Sequence, residues 1–199
     1  MAHAVLRIYT DPPDAMLEHY DEIPPVLRSV EGFRVWGLVR TDTGCLTLTV
    51  CETAEACTET VTLAANLLAQ TLGDRKPAPP TVFEGEVIFN ITAERPEAQP
   101  HVVVAIFNQP PPPGLKEREA EIREVVSAAP GFRSWTAVGP TSTGGIIILV
   151  ADDKAAADAI MRHMRDYNQA NHPELAATAQ PQLIEGQAIR RIRGETVPA

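Results

Sequence analysis

Two short segments of the sequence combine an arginine and a tryptophan at the same spacing. Arg34 and Trp36 are two residues apart, and so are Arg133 and Trp135. Because alternate residues of a strand point to the same side, each pair is predicted to share one strand face. A cation and an indole ring on one face could line a cavity for a small anionic or aromatic ligand. These four residues are therefore candidate ligand-binding groups.

The overall composition excludes several other kinds of site. The chain has 199 residues and a net charge of −9, which disfavours a nucleic-acid partner. No apolar run approaches the roughly 20 residues of a membrane span, and no signal peptide is recognisable. A cytoplasmic protein without a membrane partner is expected. Cys45, Cys51 and Cys57 are six residues apart, which is not a metal-binding or redox spacing, so reduced structural thiols and no bound metal are expected.

The arginine–tryptophan segments belong to a longer internal repeat. Gly32–Trp36 returns as Gly131–Trp135, Thr43-Gly44 returns as Thr143-Gly144, and Glu84-Gly85 returns as Glu185-Gly186. The displacement grows from 99 to 100 to 101 residues, as single insertions in successive loops would make it. The chain is therefore predicted to contain two copies of one unit, residues 1–95 and 96–199, joined by a linker at about 91–100.

Each copy shows the pattern of a β-α-β-β-α-β unit. Leu46, Leu48 and Val50 alternate with threonines, as in a strand with one apolar face, whereas Ile122 and Val125 recur at helical spacing. The order is that of a ferredoxin-like arrangement, in which one sheet face lies open unless something covers it. The strands are too apolar for that. We therefore predict an α+β fold in which two ferredoxin-like repeats form one intramolecular pseudo-dimeric α+β barrel.

Local signals divide the copies into elements. Pro24-Pro25 should break the first helix midway, and Pro110–Pro113 should form a stiff loop after a strand. Thr53 and Asp153 are predicted helix N-caps, and Gly73 is a predicted helix end.

The duplicated arginines have a structural interpretation as well as a functional one. Glu84 and Glu185 hold equivalent positions in the last strand of each copy. Because an unpaired buried charge is very costly, ion pairs are predicted between Arg34 and Glu185 and between Arg133 and Glu84. On this interpretation the arginines close the barrel and bind no ligand.

The sequence resembles the antibiotic-biosynthesis-monooxygenase-like family of the dimeric α+β barrel superfamily. The similarity lies in Pro130–Arg133, in Glu31–Arg34 and in the strand ending at 79–87. The resemblance implies the barrel fold and a range of activities that includes cofactor-independent oxygenation of quinol-like aromatic compounds and haem degradation.

The resemblance also implies two catalytic candidates. The haem-degrading branch uses an asparagine on strand one and a tryptophan and a histidine on the second helix. Asn108 and His163 match the asparagine and the histidine, but neither second helix has a tryptophan. No cofactor is therefore expected.

Two functions remain in competition. The first is a cofactor-independent monooxygenase-like enzyme that acts on a small aromatic or quinol-like compound. The alternative is a non-catalytic ligand-binding or stress-associated barrel protein. The first strands differ, with Arg7 and Tyr9 in one copy and Ala105 and Phe107 in the other, so any site should be asymmetric. The internal pseudo-dimer is compatible with a monomer or a homodimer.

Overall fold

A computed structural model describes residues 1–75, 77–93, 99–173 and 180–194. Contacts between residues group the chain into two compact units. Unit 1 comprises Met1–Glu86 and Ala188–Ala199, and unit 2 comprises Val87–Gln187. The two longest strands, β4 (Thr81–Thr92) and β8 (Gln182–Arg193), each contribute residues to both units.

Unit 1 contains three complete strands and three helices besides its parts of β4 and β8. These are β1 (His3–Tyr9), α1 (Asp14–Glu18), α2 (Ile23–Arg28), β2 (Phe33–Thr41), β3 (Gly44–Cys51) and α3 (Ala54–Leu72). One 3₁₀ turn, Tyr20–Glu22, separates α1 from α2, and another, Gly73–Arg75, follows α3. The first helix is thus broken as predicted, because Pro24 and Pro25 are tolerated only in the first turn of α2.

Unit 2 contains three complete strands and two helices besides its parts of β4 and β8. These are β5 (His101–Ile106), α4 (Glu119–Ser127), β6 (Phe132–Val138), β7 (Ile146–Ala151) and α5 (Lys154–Asn171). Pro110–Pro113 lies in the loop between β5 and α4, as the sequence predicted.

The eight strands hydrogen-bond in the order β1-β3-β2-β8-β5-β7-β6-β4 and form a closed antiparallel barrel. The fold class is therefore α+β, as expected. The predicted boundary between the two copies at residue 95 comes from the sequence repeat. The two units are defined by contacts and do not test it, so the boundary stays a prediction. Of the expected linker at about 91–100, residues 94–98 lie outside the described part.

The β2–β3 hairpin of unit 1 and the β6–β7 hairpin of unit 2 each begin with a bulge. In unit 1 the pairing runs from Phe33–Cys51 to Val35–Val50, and in unit 2 from Phe132–Ala151 to Ser134–Val150. An extra residue in one strand interrupts the alternation of faces. The extra residues are the arginines, and Arg34 consequently does not share the buried surroundings of Trp36. Arg34 and Trp36 therefore differ in burial, whereas a shared face for Arg133 and Trp135 stays a prediction.

The long helices begin and end at the predicted residues. The Thr53 hydroxyl accepts a hydrogen bond from the Ala56 amide at 3.1 Å, and the Asp153 carboxylate accepts one from the Ala156 amide at 2.8 Å. Gly73 ends α3 with a φ of 54°, in the left-handed region that glycine adopts without steric cost. Among the described residues, no helix combines the length and the apolar character that crossing a bilayer requires.

Each unit packs its helices against its own sheet residues. In unit 1, Met16, Ile23 and Leu27 from the helices are almost fully buried against strand residues such as Trp36. In unit 2, Ile122 and Val126 of α4 and Ile160 and Met164 of α5 lie in one apolar cluster. Burial of such side chains contributes about 1.5–3 kcal/mol each.

Candidate functional site

Unit 2 contains a cavity of about 840 Å³. Its walls come from the sheet (β5, β6, β7 and the start of β8), from helices α4 and α5, and from the proline-rich loop. The sheet residues are Ala105, Trp135, Ala137, Val138, Ile146, Ile147 and Leu183, and the helix residues are Ile122, Met161, Met164, Arg165 and Asn168. The loops add Phe107, Asn108, Gln109, the prolines at 110–113, Leu115, Arg118, Gly145, Gln180 and Pro181. A ligand-sized cavity with mainly apolar walls and a few polar groups is typical of small-molecule sites.

The periodicity of the elements explains which side chains reach the cavity. On α5, Met161, Met164, Arg165 and Asn168 follow helical spacing and lie on one face. On β6, Trp135 and Ala137 are two residues apart and point to the same side. The bulge that precedes them brings both Phe132 and Trp135 into the buried cluster of unit 2.

Burial distinguishes the inner wall of the cavity from its mouth. Ala105, Ile122, Trp135, Ala137 and Met164 are all buried. Exposed lining residues mark the mouth, and they are Asn108, Gln109, Pro110, Pro113, Arg165, Gln180 and Leu183. The site is therefore apolar inside and polar where it meets solvent.

The proline-rich loop is seated on two glycines. A Cβ atom at Gly139 would lie 2.5 Å from Cγ of Pro111, and one at Gly145 would lie 3.2 Å from the same atom. Only residues without a side chain permit this approach. Pro111 and the two glycines thus form a stiff part of the cavity rim.

Trp135 lines the cavity and has a buried indole N–H group. The residue is 6% exposed, and within the described part of the chain its indole Nε1–H has no hydrogen-bond partner. An unpaired buried donor costs about 1–3 kcal/mol, and such groups are rare in folded proteins. An indole N–H can only donate, so the matching group on a ligand is an acceptor.

A polar network flanks the mouth. The Arg118 guanidinium donates to Glu121 at 2.9 Å and to the Asn168 side-chain oxygen at 3.4 Å. Glu121 also lies 2.8 Å from Nε2 of His172. The hydrogen bond from Arg118, opposed by partial burial and assisted by His172 and Tyr167, lowers the pKa of the Glu121 carboxyl to about 2. Glu121 is thus held as an anion that fixes Arg118 beside the cavity.

The structure brings together two of the predicted site residues and separates the others. Asn108 and Trp135 both line the cavity. His163 lies on α5 but its side chain is exposed and outside the lining, because it falls between the positions that face the sheet. Trp36 is buried in the apolar cluster of unit 1.

The two arginines of the predicted ion pairs each contact a carboxylate of their own unit. Arg34 lies 3.6 Å from Glu52, and Arg133 donates to Asp152 at 2.6 Å. The physical reason is the hairpin register, in which the arginine at each bulge lies near the end of the neighbouring strand, beside the residue that follows that strand. Glu185 contacts Lys154 and lies 3.5 Å from His101, and Glu84 is exposed. Each arginine thus contacts a carboxylate of its own unit, and the pairs with Glu84 and Glu185 stay a prediction.

Several lining residues were not singled out from the sequence. Arg118, Arg165, Asn168 and the two methionines of α5 belong to this group. The spacing of Met161, Met164, Arg165 and Asn168 is visible in the sequence as a helix face, and it could have suggested the α5 wall. Arg118 carries no such signal, because it lies in the turn before α4.

The described lining has no acid–base residue apart from its arginines. It contains no aspartate, glutamate, histidine, lysine, tyrosine or cysteine. Nor do the described residues include a group of three or more histidine, cysteine, aspartate or glutamate side chains that could hold a metal ion. The described lining residues can therefore contribute hydrogen bonds, positive charge and exclusion of water.

Comparison with known proteins gives matches of structure only. No family model matches the sequence, and no curated protein matches it. Among solved structures, an anthrone oxidase-like protein superposes with a TM-score of 0.63, at 14% identity, over 100% of this chain and 95% of its own. A provisionally assigned monooxygenase from Lactobacillus acidophilus NCFM gives a TM-score of 0.65, at 12% identity, over 96% of each chain. The chain has the dimeric α+β barrel fold.

Another protein with the dimeric α+β barrel fold raises the question of haem. A haem-binding protein from Thermus thermophilus matches with a TM-score of 0.56, at 12% identity, over 95% of this chain and 91% of its own. Haem iron is held by histidine, cysteine or tyrosine, or by methionine together with histidine, and the described lining of the unit 2 cavity has two methionines but none of the other three. The residues present therefore do not fit haem, and the fold alone does not supply its chemistry.

Proposed function

We propose that the unit 2 cavity binds a small aromatic compound and that the protein is a monooxygenase-like enzyme that oxygenates it without metal or flavin. The observation that carries the proposal is the unpaired indole N–H of Trp135 in the wall of an apolar cavity of about 840 Å³. Structural similarity to an anthrone oxidase-like protein and to a provisionally assigned monooxygenase supports the same reaction class.

The geometry suggests how such a reaction would be assisted. A phenol-type or anthrone-type ligand loses a proton to water at the cavity mouth. The oxygen atom attached to its ring then becomes an oxyanion. The Trp135 N–H donates to that oxygen and stabilises its charge in a dry environment, where a hydrogen bond is stronger than in water. The carbanion form of the ligand then reduces O₂. The carbon bonds to O₂ and becomes a peroxide, which takes a proton from water. Loss of the second proton from the same carbon then breaks the O–O bond, so that a C=O group forms and hydroxide leaves and becomes water with a proton from solvent.

Anthrone provides a balanced test reaction, because anthrone and O₂ give anthraquinone and water. We expect the protein to bind anthrone and to accelerate O₂ uptake, measured with an oxygen electrode, together with anthraquinone formation, measured by chromatography. Trp135→Phe should reduce the rate by about tenfold or more, as expected for loss of one oxyanion donor.

A matched pair of variants tests whether the cavity is the site. Leu183 is 46% exposed and lines the mouth, whereas Val82 is 41% exposed at the corresponding place in the other repeat and does not line the cavity. We expect Leu183→Trp to weaken anthrone binding and Val82→Trp to leave it unchanged. Equal effects of the two substitutions would contradict the assignment of the site.

The second candidate function is non-catalytic ligand binding. The absence of a general base among the described lining residues favours it. Binding of anthrone with no increase in O₂ uptake over the protein-free rate would support this function against the first.

We also propose that the barrel arose from two ferredoxin-like copies, residues 1–95 and 96–199. Supporting features are the order β-α-β-β-α-β in each half and several equivalent details. Gly32 and Gly131 have φ angles of 81° and 79°, and Thr53 and Asp153 cap equivalent helices.

A further inference from the structure

The charged residues of the cavity lining are both cations. Arg118 and Arg165 are the only ionised side chains among the described lining residues. They lie on a protein whose net charge is −9, so a cationic lining is not a consequence of the overall composition. A local charge of sign opposite to that of the whole molecule suggests selection for a ligand of negative charge.

The two arginines differ in what already balances their charge. Arg118 is neutralised by Glu121, with which it forms two hydrogen bonds. Arg165 is exposed at the mouth, and within the described part of the chain it has no carboxylate at ion-pair distance. Arg165 is therefore the group available to pair with an anion that a ligand brings. Its guanidinium can hold a carboxylate through two parallel hydrogen bonds.

The inner wall of the cavity has no charged group and suits an apolar part of a ligand. Trp135, whose indole N–H has no partner among the described residues, belongs to one buried apolar cluster with Ile122, Ala137 and Met164, and all four line the cavity. A ligand that reaches this wall needs an acceptor oxygen there to pair with the indole N–H. A fatty acid does not meet this requirement, because its methyl end would face Trp135 and leave the N–H unpaired.

We propose that the ligand of unit 2 is an aromatic carboxylic acid that enters with its ring first. A carbonyl or phenol-type oxygen at the inner end accepts from Trp135, and the carboxylate at the outer end pairs with Arg165. This inference rests on the proposed function and deepens it, because it assigns both the substrate class and its orientation in the cavity.

A series of four naphthalenes separates the two polar contacts. The probes are 6-acetyl-2-naphthoate, 2-naphthoate, 2-acetylnaphthalene and naphthalene, and their binding is measured by calorimetry and by quenching of tryptophan fluorescence. We expect 6-acetyl-2-naphthoate to bind most tightly. Removal of the carboxylate or of the acetyl group should each weaken binding about tenfold, the effect of one net hydrogen bond.

Variants then assign each contact to its residue. Arg165→Gln should abolish the advantage of the carboxylate and leave that of the acetyl group, and the carboxylate advantage should fall with added salt. Trp135→Phe should abolish the advantage of the acetyl group and leave that of the carboxylate. Arg162→Gln is the matched control, because Arg162 is exposed on the same helix but does not line the cavity. The acetyl comparison in the unmodified protein stays decisive if Trp135→Phe fails to fold.

The outcomes separate this inference from the function on which it rests. Equal binding of all four probes would overturn the inference and leave an aromatic-binding cavity. A carboxylate advantage that survives in Arg165→Gln would overturn the assignment of the anion contact. Binding of none of the four would overturn both the inference and the proposed function.

Discussion

Glu121 is the residue whose charge state the local geometry controls most strongly. Its carboxylate accepts from Arg118, and this hydrogen bond is the main reason that its pKa falls from 4.5 to about 2. A pKa that is lower in the folded than in the unfolded chain means that the folded state binds the proton less readily. The stabilisation is therefore complete above pH 4.5 and is lost as the pH falls from 4.5 towards 2.

We expect Glu121→Gln to be less stable than the unmodified protein at pH 7, with a difference that shrinks as the pH falls below 4.5. The measurement is the urea midpoint between pH 2 and pH 7. Glu117→Gln is a suitable control, because Glu117 is exposed and forms no ion pair in the described part of the chain. A stability difference between Glu121→Gln and the unmodified protein that is constant over this pH range would contradict the assignment.

The three cysteines show how burial governs reactivity at single residues. Cys45, Cys51 and Cys57 are each 0% exposed, and burial raises the pKa of the Cys45 thiol to about 11. The Cys57 thiol donates a hydrogen bond to the His3 carbonyl oxygen, with 3.3 Å between the sulfur and the oxygen. The thiol proton is thus held in this hydrogen bond. Thiolate and access are both needed for reaction, and access is missing here.

We expect no thiol to react with Ellman's reagent in the folded protein and all three to react in denaturant. Rapid labelling of one thiol under native conditions would show that unit 1 opens locally near that cysteine.

At the scale of elements, capping residues determine where the long helices start. Thr53→Ala should cost about 1 kcal/mol of the free energy of unfolding, because the Ala56 amide loses its acceptor. Thr62→Ala is the matched control on the exposed face of α3, where the hydroxyl only bonds back to Thr58. Denaturation in urea measures both. A loss for Thr62→Ala as large as that for Thr53→Ala would indicate an effect of threonine removal in general rather than of capping.

Two equivalent glycines before the bulged strands test how closely each helix approaches its hairpin. Gly32 and Gly131 both have left-handed φ angles, so alanine costs about 1–2 kcal/mol at either position. A Cβ at Gly131 would also lie 2.5 Å from Cβ of Ala156, whereas at Gly32 the nearest atom is at 3.3 Å. We expect Gly131→Ala to be the more destabilising, as measured by thermal and urea denaturation.

An Ala156→Gly background removes the atom that a Cβ at Gly131 would meet. The excess cost of Gly131→Ala should disappear in it. If the excess persists, the close approach of α5 is not its cause.

At the scale of the whole molecule, the two units use the space between helices and strands differently. Unit 1 fills it with α1 and the following turn, where Met16 is 2% exposed and Tyr20 packs against the same core. Unit 2 has the proline-rich loop at this point of the chain, and its cavity opens beside that loop. The asymmetry expected from the first strands thus coincides with a difference in the connections that follow them.

We therefore expect one aromatic ligand per chain. Calorimetry with 6-acetyl-2-naphthoate should give a stoichiometry of one, and Leu183→Trp should reduce its affinity whereas Val82→Trp should not. A stoichiometry of two would show that unit 1 also admits a ligand.

Much of the architecture could be predicted from local patterns in the sequence. Periodicity identified the strands and the long helices, and short-range chemistry identified Thr53, Asp153 and Gly73 as helix ends. Such features depend on neighbours within about four residues, so the sequence contains all the partners needed. The Pro24-Pro25 pair likewise interrupted the first helix, because proline rings clash with the preceding turn and prolines have no N–H to donate.

The candidate site depended on contacts that no local pattern contains. One extra residue in each hairpin placed Arg34 beside Glu52 and Arg133 beside Asp152, contacts that the strand periodicity does not predict. The cavity likewise requires Trp135, Met164 and the proline-rich loop to meet, although they are far apart in sequence. Local sequence determined the elements because turns, caps and periodicity act at short range. The tertiary structure alone decided the contacts of the arginines and left Trp135 without an acceptor among the residues that the structure describes, because register and packing are set by the whole fold.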